Sequence, residues 1–457
     1  MNIAYLDPPY SRYFQRLGGC LARRTGGQVV ALLSSPAYRL YAQGDRALIW
    51  PPGRVDTPPP LPAESAHATW SQTVDERFLG VFWHAVAWFR QRFRDERIEL
   101  CLVFSDARAF SLAATVAARE LGVRCVYFER GAFRFATASL STQGLNARFS
   151  LARAQALVNI EGLPADTHIE RRAPERGLRW HFLRFILANR LACLLAPERR
   201  CLQHKRYALG PYLRLALSQW WTEHHLMQRD DARLHLEAGA PLLIVPLQLP
   251  GDSQMLLNSP FEGNQQFLDF VVGEAHRVSP AVRVLVKRHP MDTRSYRMPP
   301  GAATVGGNLL RFAPLHPVVV CVNSTVGFEA AARGLQVICF GESFYTAADA
   351  VALSTLPGFA SLLQARLGQP GDPAAGRALR AAVLRWYQAP GDAWAFTDDD
   401  IERTADITLQ HHRAGKPMPT AQALPAAAPV APPAALHAAE PAEEAVEPAS
   451  NVISVAA

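Results

Sequence analysis

The chain has 457 residues, 49% of them hydrophobic and 19% charged, with a formal net charge of +7, which suits a globular protein of two domains, each with its own core. Its seven cysteines are scattered and form no C-x-x-C pair, which excludes zinc-ribbon or dithiol redox chemistry and makes them reduced core residues. No apolar run reaches the roughly 20 residues of a membrane span, and the opening MNIAYLDPPYSRYF has no charged, apolar and small-residue order of a leader, so a cytoplasmic protein is expected.

Residues 1–170 alternate short apolar runs (NIAYL, QVVALLSS, IELCLVFSD, VRCVYFERG) with amphipathic stretches that end in Gly, such as YFQRLGGCLARRTGG and SLAATVAARELG. Apolar runs bounded by turn residues and followed by helical periodicity predict βαβ units on a parallel sheet, hence a Rossmann-like N-terminal domain. Residues 171–235 change to a helical pattern rich in Arg, Leu and aromatics, read as a helical connector. Its composition suits packing between domains and also suits an interfacial helix on anionic lipid. A second strand–helix alternation runs through residues 236–413, from APLLIVPLQLPG to LQVICFG, and predicts a C-terminal Rossmann-like domain. Residues 414–457 are Ala/Pro-rich without an aromatic and read as a disordered tail. The expected fold is α/β and GT-B-like, with two Rossmann-like domains facing a cleft into which the carboxyl ends of their strands open.

Polar residues interrupt the apolar order at those strand ends. Asn323, Ser324 and Thr325 lie between VVVCV and the helical GFEAAARG, where helix N–H groups and hydroxyls can seat a phosphate. An ordinary helix N-cap would use the same residues. Lys287, Arg288 and His289 end VRVLVKRH, and the histidine there can donate to a phosphate or leaving-group oxygen. Gln248, Asp252, Ser253, Gln254, Asn258 and Ser259 crowd the loop after PLLIVP, with amides and hydroxyls suited to a base or ribose. In the N-terminal half, Asp106 and Glu129 end neighbouring strands with Arg108, Arg130 and Arg134 nearby. Paired carboxylates there suit acid/base or nucleophilic work beside a bound anion; surface ion pairs would look alike. Nucleic-acid binding is not expected, since the basic residues do not interleave with aromatics.

The motifs PLQLPGDSQMLLNSPF, VLVKRHPMD and CVNSTVGFEAAARGLQVICFGESFY, preceded in order by YFQRLGGCL, SDARAFS, FERGAFR and GLNARFS, resemble those of the KpsS/KpsC-type capsule polysaccharide synthesis proteins, the single-module KpsS type most of all. The resemblance implies a retaining β-Kdo transferase that takes CMP-Kdo as donor and lysophosphatidylglycerol as acceptor, in the cytoplasm of a Gram-negative cell and peripheral to the inner face of the inner membrane. Implied partners are the CMP-sugar, the anionic lysophospholipid, the inner-membrane surface and other capsule synthesis and export proteins. It places CMP at Asn323, Ser324 and Thr325, with Gln248, Asp252, Ser253, Gln254, Lys287 and Glu329 around it and His289 at the departing phosphate. Glu129 and Asp106 would serve the anomeric centre, either being the nucleophile, with Arg108 and Arg134 on the Kdo carboxylate and Asn146, Asn258 and Ser259 lining the substrate site. No cofactor and no metal are expected, because helix-end N–H groups, Lys287 and His289 suffice for CMP as leaving group. Two positions depart from the family pattern: Arg130 replaces a second acid, and Asn258 replaces a histidine before SPF. Another nucleotide sugar on the same fold, and a non-catalytic capsule assembly role, remain the alternative readings.

Overall fold

The computed structural model describes residues 1–62, 74–155, 162–174, 177–203, 240–250, 252–289, 292, 294–346 and 348–414. The later part of the expected connector and the Ala/Pro-rich tail lie outside them. Strands β1 (Asn2–Leu6), β2 (Val29–Leu33), β3 (Arg46–Ile49), β4 (Ile98–Phe104), β5 (Arg124–Arg130) and β6 (Thr137–Ser141) build the first sheet, in the order β6-β5-β4-β1-β2-β3. All pairs but β5–β6 are parallel, with Ile3 opposite Val29 and Leu102 opposite Val126. The strands read as apolar runs because both faces are covered. Alternate side chains of β4 serve different cores: Cys101 and Val103 pack with Phe82, Phe89 and Phe110, while Leu100 and Leu102 pack with Phe14, Leu17 and Phe128.

Strands β7 (Leu242–Pro246), β8 (Arg283–Lys287), β9 (Ala302–Thr304), β10 (Val318–Cys321), β11 (Gln336–Cys339) and β12 (Val351–Leu353) form a second, wholly parallel sheet in the order β12-β11-β10-β7-β8-β9. Counted from its own first strand this is the 3-2-1-4-5-6 order of a doubly wound dinucleotide-binding fold, and β3-β2-β1-β4-β5 repeats its first five positions. Two Rossmann-like units are therefore present, as the periodicity predicts. The seven cysteines are free thiols, five of them buried.

The chain then differs from the expected continuous C-terminal unit over 236–413. Strand β13 (Gln388–Pro390) returns to the first sheet and pairs antiparallel with β6, setting Ala389 opposite Ala138. The helix Asp398–Ala414 packs on the first helix, Tyr13–Thr25, where Arg24 bridges Glu402 at 2.6 Å. The physical reason is the open edge of β6, whose backbone groups need a partner. Arg130 locks this return: its Nε lies 3.2 Å from the fully buried Asp392, and its guanidinium is sandwiched between the rings of Phe135 and Trp394, at 4.6 and 4.3 Å. The residue that replaces a family acid is thus structural here. Arg130→Ala leaves Asp392 buried without its counter-charge and is expected to lower unfolding stability by about 3 kcal/mol, read from urea denaturation.

A candidate active site between the two sheets

In each sheet the strand order reverses between the first and fourth strands of the unit, and the crevice outside their carboxyl ends is where ligands bind in open parallel sheets. Asp106 follows β4 and Glu129 ends β5; Gln248 follows β7, His289 follows β8, and Asn323 to Thr325 follow β10. The strand-end residues predicted from the sequence therefore fall at or beside both reversal points.

On the first sheet the two carboxylates are organised by one loop. Asp106 is buried and its Oδ2 accepts the Leu145 amide N–H at 2.8 Å, while Oδ1 lies 3.4 Å from Arg148 Nη2. The next residue, Asn146, donates its side-chain amide to Glu129 Oε2 at 2.8 Å, and its backbone N–H to the Tyr387 hydroxyl at 2.8 Å. Asn146 has φ 52°, and Ser105, just before Asp106, has φ 64°. Non-glycine residues in the left-handed region are costly, so their clustering around the carboxylates marks a built site. Gly144 has φ 126°, and a Cβ there would come within 2.8 Å of Arg148 Cβ and 3.2 Å of Asp106 Oδ2.

The second sheet brings its own groups to the same place. The helix Ser253–Asn258 packs against the turn Asn146–Arg148, and Asp252 caps that helix by accepting the Gln254 N–H at 2.9 Å. Burial pushes Glu129 up to about 7; Asp106 and Asp252 add to the rise, while Arg134 and Asn146 oppose it. Burial also raises Asp106 and Asp252, opposed by Arg148 and Leu145 N–H at the first and by Gln254 N–H and Arg134 at the second. His289 is pushed down to about 4 by burial, then by the charges of Arg134 and Lys287, so its ring is neutral at pH 7. The charge of Arg134 thus acts on Glu129 and Asp252 as well as on His289, so groups from both sheets lie within the field of this exposed cation, while Arg148 holds Asp106.

Other predicted residues are engaged elsewhere. Gln248 and Asn323 bind each other, the Gln248 amide donating to Asn323 Oδ1 at 2.8 Å and the Asn323 N–H to Gln248 Oε1 at 3.0 Å. They tie two strand-end loops together. Ser324 caps the short helix Thr325–Ala331 through Val326 N–H at 3.2 Å, and its carbonyl accepts the Tyr345 hydroxyl at 2.6 Å. Lys287 donates to the Gly307 carbonyl at 2.5 Å and lies near Glu329. Asn258 donates to Gln254 Oε1 at 2.9 Å, and Ser259 Oγ accepts the Phe261 N–H at 3.0 Å. Arg108 joins a separate buried cluster: its guanidinium lies 5.0 Å from the Phe104 ring and 5.8 Å from that of Tyr10, and its charge acts on Asp7. The sequence reading missed Tyr387, which carries no local signal, and did not single out Arg148 within the GLNARFS stretch. Among the described residues no group of three or more His, Cys, Asp or Glu is placed to hold a metal ion.

A carboxyl whose pKa is raised by folding prefers the protonated state, so its charge costs stability at pH values above the folded pKa. Glu129→Gln is therefore expected to stabilise the protein by about 1–2 kcal/mol at pH 8. The gain should fade as pH falls from about 7 toward the ordinary value of 4.5, in melting curves recorded across that range.

The family model described as "Capsule polysaccharide biosynthesis protein" matches residues 99–298 and 305–350, more than half of the chain. The capsule polysaccharide modification protein LipB of Neisseria meningitidis serogroup A is 24% identical over 285 residues, which cover 54% of this chain and 64% of LipB. Protein FixF of Sinorhizobium fredii is 37% identical over 115 residues, covering 24% of this chain and 28% of FixF. The chain thus spans less than two thirds of the length of either relative. Among solved structures, the β-Kdo 2,7 transferase KpsC of Thermosulfurimonas dismutans aligns with a TM-score of 0.32 and 14% identity over 70% of this chain and 89% of that one. A UDP-GlcNAc 2-epimerase from Neisseria meningitidis aligns with a TM-score of 0.29 and 10% identity over 91% of this chain and 100% of its own.

Proposed function

The chain belongs to the capsule polysaccharide biosynthesis protein family, and from that premise we propose that it is a retaining glycosyltransferase that moves Kdo from CMP-Kdo to a lysophosphatidylglycerol-type lipid. The observation that carries the reading is the packing of the helix Ser253–Asn258 on the turn Asn146–Arg148, which sets Asp252 of one sheet near Glu129 of the other, beside Asp106, with the charge of Arg134 acting on Glu129, Asp252 and His289. A transferase of this type needs a carboxylate at the anomeric carbon and positive charge or donors at the leaving phosphate.

In this reading Glu129 is the nucleophile. Asp106 is more deeply buried, and its two oxygens face Leu145 N–H and Arg148, which suits it to hold the loop. The ionised Glu129 oxygen forms a bond to the anomeric carbon as the bond to the CMP phosphate oxygen breaks, and that electron pair leaves with CMP. The acceptor hydroxyl then attacks the same carbon, displaces the Glu129 carboxylate and gives up its proton to solvent water. Two inversions give net retention. Arg134 is placed for the sugar carboxylate or the phosphate, and neutral His289 can donate a hydrogen bond to the departing CMP. The Gln248–Asn323 pair, Ser324, Thr325 and Lys287 frame the nucleotide side. The reaction as written uses no metal, and its lipid acceptor sets the work at the inner face of the inner membrane.

The test is mass spectrometry of the full chain incubated with CMP-Kdo and a short-chain lysophosphatidylglycerol. A lipid heavier by one Kdo is expected, and without acceptor a Kdo adduct on the Glu129 peptide. CMP binding without transfer would overturn the donor or acceptor assignment, and transfer at the normal rate by Glu129→Gln would overturn the nucleophile. Because Glu129 must be ionised, the rate should rise with pH through about 7. His289→Ala is expected to weaken CMP binding about tenfold, measured by calorimetry.

A further inference from the structure

The helix Leu178–Leu195, in the first half of the expected connector, is apolar on both of its sides. Leu178, Phe182, Phe185 and Ile186 are buried, with Phe182 and Phe185 against the Tyr10 ring at 5.2 and 5.1 Å and Phe185 against Tyr38 at 4.6 Å. At about 100° per residue, the opposite side collects Trp180, Leu183, Leu187, Leu191, Leu194 and Leu195, exposed by 71, 37, 49, 58, 57 and 79%. A helix that is apolar all round is ordinarily covered all round, and a contiguous apolar patch marks contact with another body. Exposed Arg184, Arg190 and His181 flank this stripe, and residues 177–197 contain no Asp or Glu.

We propose that this face lies flat on an anionic lipid bilayer, with Trp180 and the leucines among the upper acyl chains and the arginines on lipid phosphates. Charge selects this occupant. A symmetric contact with a second copy would bring the Arg184 and Arg190 rows toward each other with no acid on the face to offset them. No helix among the described residues is long and apolar enough to cross a membrane, so the contact is in the plane of the surface. The buried side of the helix covers Tyr10 and Tyr38, which follow the carboxyl ends of β1 and β2, so the bilayer meets the protein at the same end of the first sheet as Asp106 and Glu129. The inference names the lipid surface for the transferase reading but stands on this helix alone.

The experiment is flotation of the full chain with vesicles of phosphatidylcholine alone and of phosphatidylcholine mixed with phosphatidylglycerol, with no sugar donor present. The protein is expected to float with the mixed vesicles only and to detach as salt rises. Leu187→Gln with Leu191→Gln should weaken partitioning at least tenfold, and Arg184→Gln with Arg190→Gln about tenfold with a shallower salt dependence, each at an unchanged melting temperature. Equal flotation of the parent and both variants would overturn the proposal. So would a failure to float accompanied by a concentration-dependent dimer that the leucine variant abolishes in sedimentation. Transfer to a soluble short-chain acceptor without flotation would remove this face and leave the transferase reading intact; flotation without transfer would do the reverse.

Discussion

The cleft depends on Tyr387, the last residue of the helix Pro373–Tyr387, whose ring stacks on Phe149 at 4.2 Å and on Phe344 at 5.0 Å while its hydroxyl accepts the Asn146 N–H. Phe149 belongs to the first unit and Phe344 to the second, so one side chain fixes the spacing of both. Stacked aromatics supply buried area and orientation together. A further ring pair, Phe133 on Phe328 at 5.6 Å, braces the same interface. Because Asn146 also holds Glu129, the wedge that joins the units also orients the carboxylate. The burial that closes the cleft is the largest cause of the raised Glu129 pKa, so assembly and protonation have one origin.

The return of the chain to the first sheet makes that arrangement durable. Strand β13 and the helix Asp398–Ala414 follow Tyr387 directly and are held by Arg130, Asp392 and the Trp394 ring. A chain that ended on the second sheet would leave the units joined chiefly by their connector, whereas this one crosses twice. Arg130 is costly to bury and is offset by a buried counter-charge and two aromatic faces.

Charge is distributed in the same spirit. Three carboxyls share the cleft with two exposed arginines, Arg134 and Arg148, and the nearby histidine is kept neutral. Arg148 is committed to Asp106, so Arg134 and the strand-end donors are left to meet the anionic groups of a ligand. The outer surface beside it carries arginines without acids, on a helix apolar enough to rest in lipid. In the proposed reaction, a donor held by the second sheet and a lipid offered at the first would meet over Glu129.

The sequence by itself determined the parallel strands of both sheets, the position of each polar interruption at a strand end, and the pairing of Asp106 with Glu129 on neighbouring strands. Those features follow from local rules, because apolar periodicity, turn residues and helix ends act within a few positions of each other. Membership of the capsule family was legible for the same reason, through short motifs in order. Only the tertiary structure decided which side chains meet. Gln248 pairs with Asn323 at a separation of 75 residues, Arg130 with Asp392 at 262, and Asn146 with Tyr387 at 241. Arg108, two positions from Asp106, went to the Asp7 and Tyr10 cluster although its local sequence suits either place. Such choices depend on which distant surfaces must be buried together and which buried charges then need partners, and neither is written in the spacing of neighbouring residues.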